Sequence, residues 1–129
     1  MKLAMIAASL ILAGSAQAQS LKEKYELSER CGKRAEETFA RDWKKPPSGE
    51  VNYEAHYNAR LNKCFYVEIM NFLQKGKVQR SLALYDLHEN RQIGWYSGWG
   101  DSTLWCRVQE RFCKTEKEWR AFVKPLMED

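Results

Sequence analysis

Cys64-Phe65-Tyr66-Val67-Glu68-Ile69-Met70, Gln74-Lys75-Gly76-Lys77 and Ser81-Leu82-Ala83-Leu84-Tyr85-Asp86-Leu87 follow one another near the middle of the chain. The first run is aromatic and β-branched, which suits a half-buried strand. The last alternates imperfectly, with Leu82 and Leu84 on one side and Ala83 and Tyr85 on the other. The piece between them carries a glycine, so the whole predicts an antiparallel hairpin. Toward the C-terminus, His88-Glu89-Asn90-Arg91 is a polar turn. Ile93, Trp95, Ser97 and Trp99 then share one side of a third strand, punctuated by Gly94, Gly98 and Gly100. A short fourth strand over residues 105–108 completes a sheet of three to four strands.

Helices are expected on either side of this sheet in sequence. Ser20-Leu21-Lys22-Glu23 has the capping-box pattern, in which the serine oxygen and the glutamate carboxylate satisfy free backbone donors at a helix start. Leu21, Tyr25, Ser28, Gly32, Ala35 and Phe39 recur at helical spacing behind it, with Gly32 marking either close packing or a break. Lys44-Lys45-Pro46-Pro47-Ser48-Gly49 stops the helix, because proline lacks the backbone donor and disfavours helix in the residue before it. Tyr53, Tyr57, Leu61 and Cys64 also recur helically, so a short helix is expected to enter the first strand. Thr115-Glu116-Lys117-Glu118 is a second capping box. Trp119, Phe122, Val123 and Leu126 give its helix an apolar face, until Pro125 disturbs it. The fold class is α+β, an antiparallel sheet packed against N-terminal and C-terminal helices.

The first 18 residues read as a signal peptide: Lys2, an apolar run over residues 3–13, and a small-residue ending Ala16-Gln17-Ala18. About 11 apolar residues are too few to span a hydrocarbon core of ~30 Å, and no cysteine follows for lipid attachment. Residues 19–129 are therefore expected as one domain with no membrane anchor, in the periplasm or secreted. Cleavage takes Lys2 from the 21 Lys and Arg and nothing from the 17 Asp and Glu, so the net charge falls from +4 to about +3. That surplus is too mild to point to nucleic acid.

Cys31, Cys64, Cys106 and Cys113 all lie in the mature part, where an oxidising compartment pairs an even number. Three connectivities are open. Proximity across a turn favours Cys106 with Cys113, leaving Cys31 with Cys64. Loop-closure entropy assigns these bridges about 2.5 and about 3.8 kcal/mol respectively. A metal site would need clustered ligands such as CxxC or spaced histidines, and neither pattern occurs, so no metal or cofactor is expected.

No catalytic signature stands out. His56 and His88 belong to no metal or triad pattern, and Ser97 in Trp-Tyr-Ser-Gly-Trp-Gly is not the GxSxG elbow. A hydrolase using His56 or His88 as base is the least favoured class. Arg107, Arg111, Lys114, Lys117, Arg120 and Lys124 enrich the C-terminal region in positive charge, diluted by Glu110, Glu116 and Glu118, as on an ordinary solvated helix face. The conspicuous segment is Gly94-Trp95-Tyr96-Ser97-Gly98-Trp99-Gly100 with Trp105, which holds three of the five tryptophans. Trp95, Tyr96, Trp99 and Trp105 are the candidate binding residues: indoles stack on sugars or anchor protein interfaces, and glycines let a partner approach the backbone. Trp95 and Trp99, four apart on the side expected for Ile93, fit a core seam beneath two helices better than a binding surface.

The arrangement Cys31-Gly32-Lys33-Arg34-Ala35, His56-Tyr57-Asn58, Leu61-Asn62-Lys63-Cys64-Phe65, Cys106, Cys113 and Lys124-Pro125-Leu126-Met127-Glu128 resembles small exported proteins of Proteobacteria without an assigned activity. The resemblance implies a periplasmic or secreted domain with paired cysteines and carries over no catalytic residue. The expected function is a non-enzymatic binding protein, an inhibitor or immunity type, whose partner is another envelope or secreted protein. The alternative is a cell-envelope glycan binder using the Gly/Trp segment.

Overall fold

The computed structural model describes residues 19–44 and 49–129; the predicted signal peptide and the proline stop at 45–48 lie outside them. Helix α1 (Leu21–Asp42) opens the domain. The Ser20 side chain accepts a hydrogen bond from the Glu23 amide at 3.1 Å, as the capping box requires. The helix runs unbroken through Gly32, where an added Cβ would meet open space, so this glycine marks neither a break nor a close contact.

Six strands follow in a continuous antiparallel meander: β1 (Gly49–Asn58), β2 (Lys63–Gln74), β3 (Lys77–Asp86), β4 (Arg91–Trp99), β5 (Ser102–Val108) and β6 (Arg111–Phe112). The sheet is larger than the three to four strands expected. One added strand is β1, where a helix was read. Tyr53 and Tyr57 are also an even number apart, and the β2 partner strand supplies a ladder from Gly49↔Phe72 to Asn58↔Lys63 that local spacing does not reveal. The other is β6, two residues long and held to β5. The hairpin at the middle of the chain is present as read, closed between Gln74 and Lys77 by Lys75 at φ 50° and Gly76 at φ 76°. Two positive φ angles in a two-residue turn match the twist of the strands they join.

Both expected disulfides are formed, Cys31–Cys64 with Cα atoms 5.4 Å apart and Cys106–Cys113 with Cα atoms 5.0 Å apart. The first ties α1 to β2; the second closes the β5–β6 hairpin. Helix α2 (Glu116–Met127) is capped by Thr115, whose side chain accepts from the Glu118 amide. Pro125 does not end it. The proline sits in the last turn, and the Ala121 carbonyl that loses its donor belongs to an exposed residue that water can reach.

The two helices pack on opposite faces of the sheet, giving two cores. Against α2, residues Phe65, Val67, Leu82, Leu84, Tyr96 and Val108 enclose Trp119, Val123 and Leu126. Trp119 is fully buried, with Nε1 donating to the Arg107 carbonyl at 3.1 Å. The helix crosses this face from β5 to β1, where Asn58 Nδ2 donates to the Pro125 and Leu126 carbonyls. On the other face, α1 lies mainly against β1 and β2, closing a core of Cys31, Ala35, Tyr57, Cys64, Tyr66 and Leu87. No helix among the described residues is long and apolar enough to cross a membrane.

Candidate binding face

Because α1 stops at β2, the part of its face formed by β3, β4 and β5 carries no covering element among the described residues. The ladder aligns Ala83 with Trp95 and Arg107, and Ser81 with Ser97 and Trp105. Ser81, Ala83 and Ser97 are small and buried, and form the floor. Large rings rise around it: Tyr85, Trp95 and Trp99 are half-buried, and Trp105 is 46% exposed. Trp105 meets Phe112 edge-on with ring centroids 5.8 Å apart, and the Arg107 guanidinium lies over the Phe112 ring. Beside Trp95 and Trp105, an open depression of about 800 Å³ is bordered by Arg91, Gln92, Arg107 and Gln109.

The structure thus groups three of the four sequence candidates and separates the fourth. Trp95, Trp99 and Trp105 share the uncovered face, but Tyr96 points the other way and is buried in the α2 core. Alternation along β4 makes this unavoidable once its neighbours face outward. Ile93 does not share the tryptophans' side as expected, because a bulge opposite Leu84 and Tyr85 turns it toward the α2 core. The glycines are also used internally. A Cβ on Gly98 would stand 2.6 Å from the Tyr96 hydroxyl, and one on Gly94 would stand 3.2 Å from Leu84 Cβ. Close approach is made by the protein's own core, not left for a partner.

No protein family, curated protein or solved structure matches the chain.

The remaining candidates resolve into local contacts. His56 Nε2 lies 2.8 Å from an Asp129 oxygen, and the other Asp129 oxygen accepts from the Ala59 amide. That amide first, and then His56, hold the Asp129 carboxyl below its usual pKa. The pair fastens the chain terminus to β1. His88 is exposed on the β3–β4 turn, and its ring makes no hydrogen bond among the described residues. The basic side chains are largely engaged: Arg120 with Glu54, Lys124 with Glu128, and Arg111 3.7 Å above the Phe122 ring. No group of three or more metal-ligating side chains occurs among the described residues.

Sequence reading missed Tyr85, Phe112 and above all Glu68. Glu68 is 5% exposed on β2, between Tyr53 of β1 and Ala83 of β3. Burial pushes its pKa up, against the lowering influence of Trp43 and Tyr66 nearby. Neither reaches hydrogen-bonding geometry: Trp43 Nε1 and Tyr66 Oη are sealed from solvent without a partner among the described residues, as is Trp99 Nε1. An acidic residue inside an apolar strand was the available signal.

Proposed function

We propose that this protein is a non-enzymatic binding protein, exported to the periplasm or beyond, that grips another envelope or secreted protein through the uncovered aromatic face. The reading as an exported protein is supported by residues 1–18 and by the pairing of all four cysteines. The observation that carries the binding reading is the unpartnered half of the sheet, where Trp95, Trp99, Trp105 and Phe112 stand on a floor of small residues. Rigid amphipathic rings gathered in one patch are what protein interfaces use as anchors, and exposed apolar clusters of this kind mark contact sites. An inhibitor or immunity role suits a small rigid domain, although the mild positive charge gives no long-range attraction to a basic lysozyme.

A glycan ligand is the second reading, favoured by one feature: Gln92, Arg107 and Gln109 surround the depression beside Trp95 and Trp105. Planar polar groups next to indole faces suit sugar hydroxyls and sugar rings respectively.

Affinity capture from an envelope extract, using the oxidised domain and a Trp95→Ala, Trp105→Ala variant, separates these. The variant is expected to keep its fold, because both rings stand outside the two cores. A protein recovered by the parent and lost by the folded variant supports the reading. Equal recovery by both sinks it, and a tryptophan fluorescence change with peptidoglycan fragments but no captured protein moves the assignment to glycan.

A further inference from the structure

Where the covered and uncovered parts of the aromatic face meet lies a carboxylate, Glu68, that no basic group among the described residues pairs with. Glu68 makes no salt bridge and no hydrogen bond among the described residues, and no basic group among them counts among the main influences on its ionisation. The residue keeps 5% of its surface exposed, and its oxygens are not among the sealed, unpartnered polar atoms. Four groups surround it. The Trp43 indole and the Tyr66 hydroxyl lie near it without bonding, Tyr85 is close enough for the Glu68 charge to raise the pKa of its phenol, and Asp42 adds a second negative charge. Among the described residues, Asp42 pairs only with its exposed neighbour Arg41, at 3.0 Å. The rings form a continuous row, Phe39 to Tyr53 at 4.8 Å, Tyr53 to Tyr66 at 5.5 Å and Tyr66 to Tyr85 at 5.9 Å.

An unpaired buried carboxylate costs free energy that a protein normally avoids by pairing it or leaving it out. Placed beside aromatic rings and a second acid, it suits a positive charge brought from outside, held by Coulomb attraction and by ring faces together. A divalent metal is a poor occupant, since it needs more oxygen ligands than Glu68 and Asp42 offer. We propose that Glu68, with Asp42, Tyr66, Tyr85 and Trp43, forms a binding site for an organic cation, an ammonium or guanidinium group, at the margin of the aromatic face. This deepens the binding reading above, on which it rests for the idea that the cation belongs to a partner docked on Trp95 and Trp105. A lysine or arginine side chain of that partner reaches Glu68 while its apolar surface meets the indoles.

The test uses the oxidised domain carrying 13C in its glutamate carboxyls and observes the Glu68 carboxyl by NMR during titration with n-butylammonium, n-butylguanidinium and, as a neutral control, n-butanol. A saturable shift with either cation and none with butanol is expected. Glu68→Gln, followed by the Tyr and Trp ring resonances, should weaken cation binding about tenfold or more, because it removes the charge that desolvated cations recognise. The same variant should keep the parental fold in near-ultraviolet circular dichroism, and Tyr66→Phe should weaken binding less. Equal response to butanol, no saturable shift, or unchanged affinity in Glu68→Gln overturns the site. Its source is separable: loss of partner capture by Glu68→Gln assigns the cation to a protein side chain, while cation binding with unaffected capture assigns it to a free small amine. Failure of the tryptophan variant to alter capture, with cation binding intact, would remove the docking face and leave the cation site standing.

Discussion

Asp86 shows how much one side chain contributes to this sheet. It is 2% exposed at the end of β3, where one carboxylate oxygen accepts from the His88 and Glu89 amides and the other from Lys63 Nζ at 2.8 Å. Burial alone would raise its pKa; Lys63 and the two amides outweigh that and hold it below the usual carboxylate range. Because the native pKa is depressed, the ionised form stabilises the fold above the unfolded value near 3.8, and this contribution is lost as pH falls through the lower native value. Asp86→Ala is expected to cost about 2–3 kcal/mol at pH 7 by stripping the turn of its acceptors. Urea unfolding at pH 7 and pH 2 measures the difference, which should shrink in acid. A loss that is the same at both would show that the charge contributes nothing.

At the scale of elements, turns and caps set where each segment begins. The β2–β3 hairpin depends on Lys75 and Gly76 in the left-handed region, a conformation that a Cβ makes costly and β-branching makes more so. Gly76→Val should therefore lose about 1–2 kcal/mol, and Gly76→Asn clearly less, as read from urea midpoints. Equal losses would mean that the turn tolerates any side chain and that the register from Gln74↔Lys77 to Phe65↔Asp86 is held by strand pairing alone. Both helix starts were legible because the capping bonds are local, between Ser20 and Glu23 and between Thr115 and Glu118. Strand β1 was not: its tyrosine spacing satisfies helix and strand alike, and only the partner segment Lys63 to Phe72 decides between them.

For the whole molecule, the two disulfides do different jobs. Cys31–Cys64 links elements 33 residues apart and anchors α1, which otherwise holds to β1 and β2 through Ala35, Phe39, Tyr53 and Tyr66. Cys106–Cys113 spans 7 residues within one hairpin. Replacing the first pair by serine should cost about 4 kcal/mol and the second about 2.5 kcal/mol on loop entropy. Hydrogen exchange should rise across residues 21–42 in the first variant and stay near parental in the second. Equal destabilisation with no local change in α1 would contradict a tether role.

Composition and local pattern determined the α+β class, the positions of both helices and the central hairpin, and favoured the pairing of cysteines that formed, because these depend on periodicity, caps and neighbours in the chain. They also singled out Trp95, Trp99 and Trp105, though not whether those rings would be covered. That question turned on which face each helix takes and how far it reaches. Cys64 and Phe65 are adjacent on β2 and point oppositely, so α1 and α2 take opposite faces, and α1 stops at β2. Among the described residues, no helix covers Trp95, Trp99 or Trp105, Tyr96 is turned inward, and Glu68 meets Trp43, Tyr66 and Tyr85 from distant parts of the chain. Such meetings are fixed by strand register and helix placement, which arise only from long-range pairing and lie beyond the reach of local sequence.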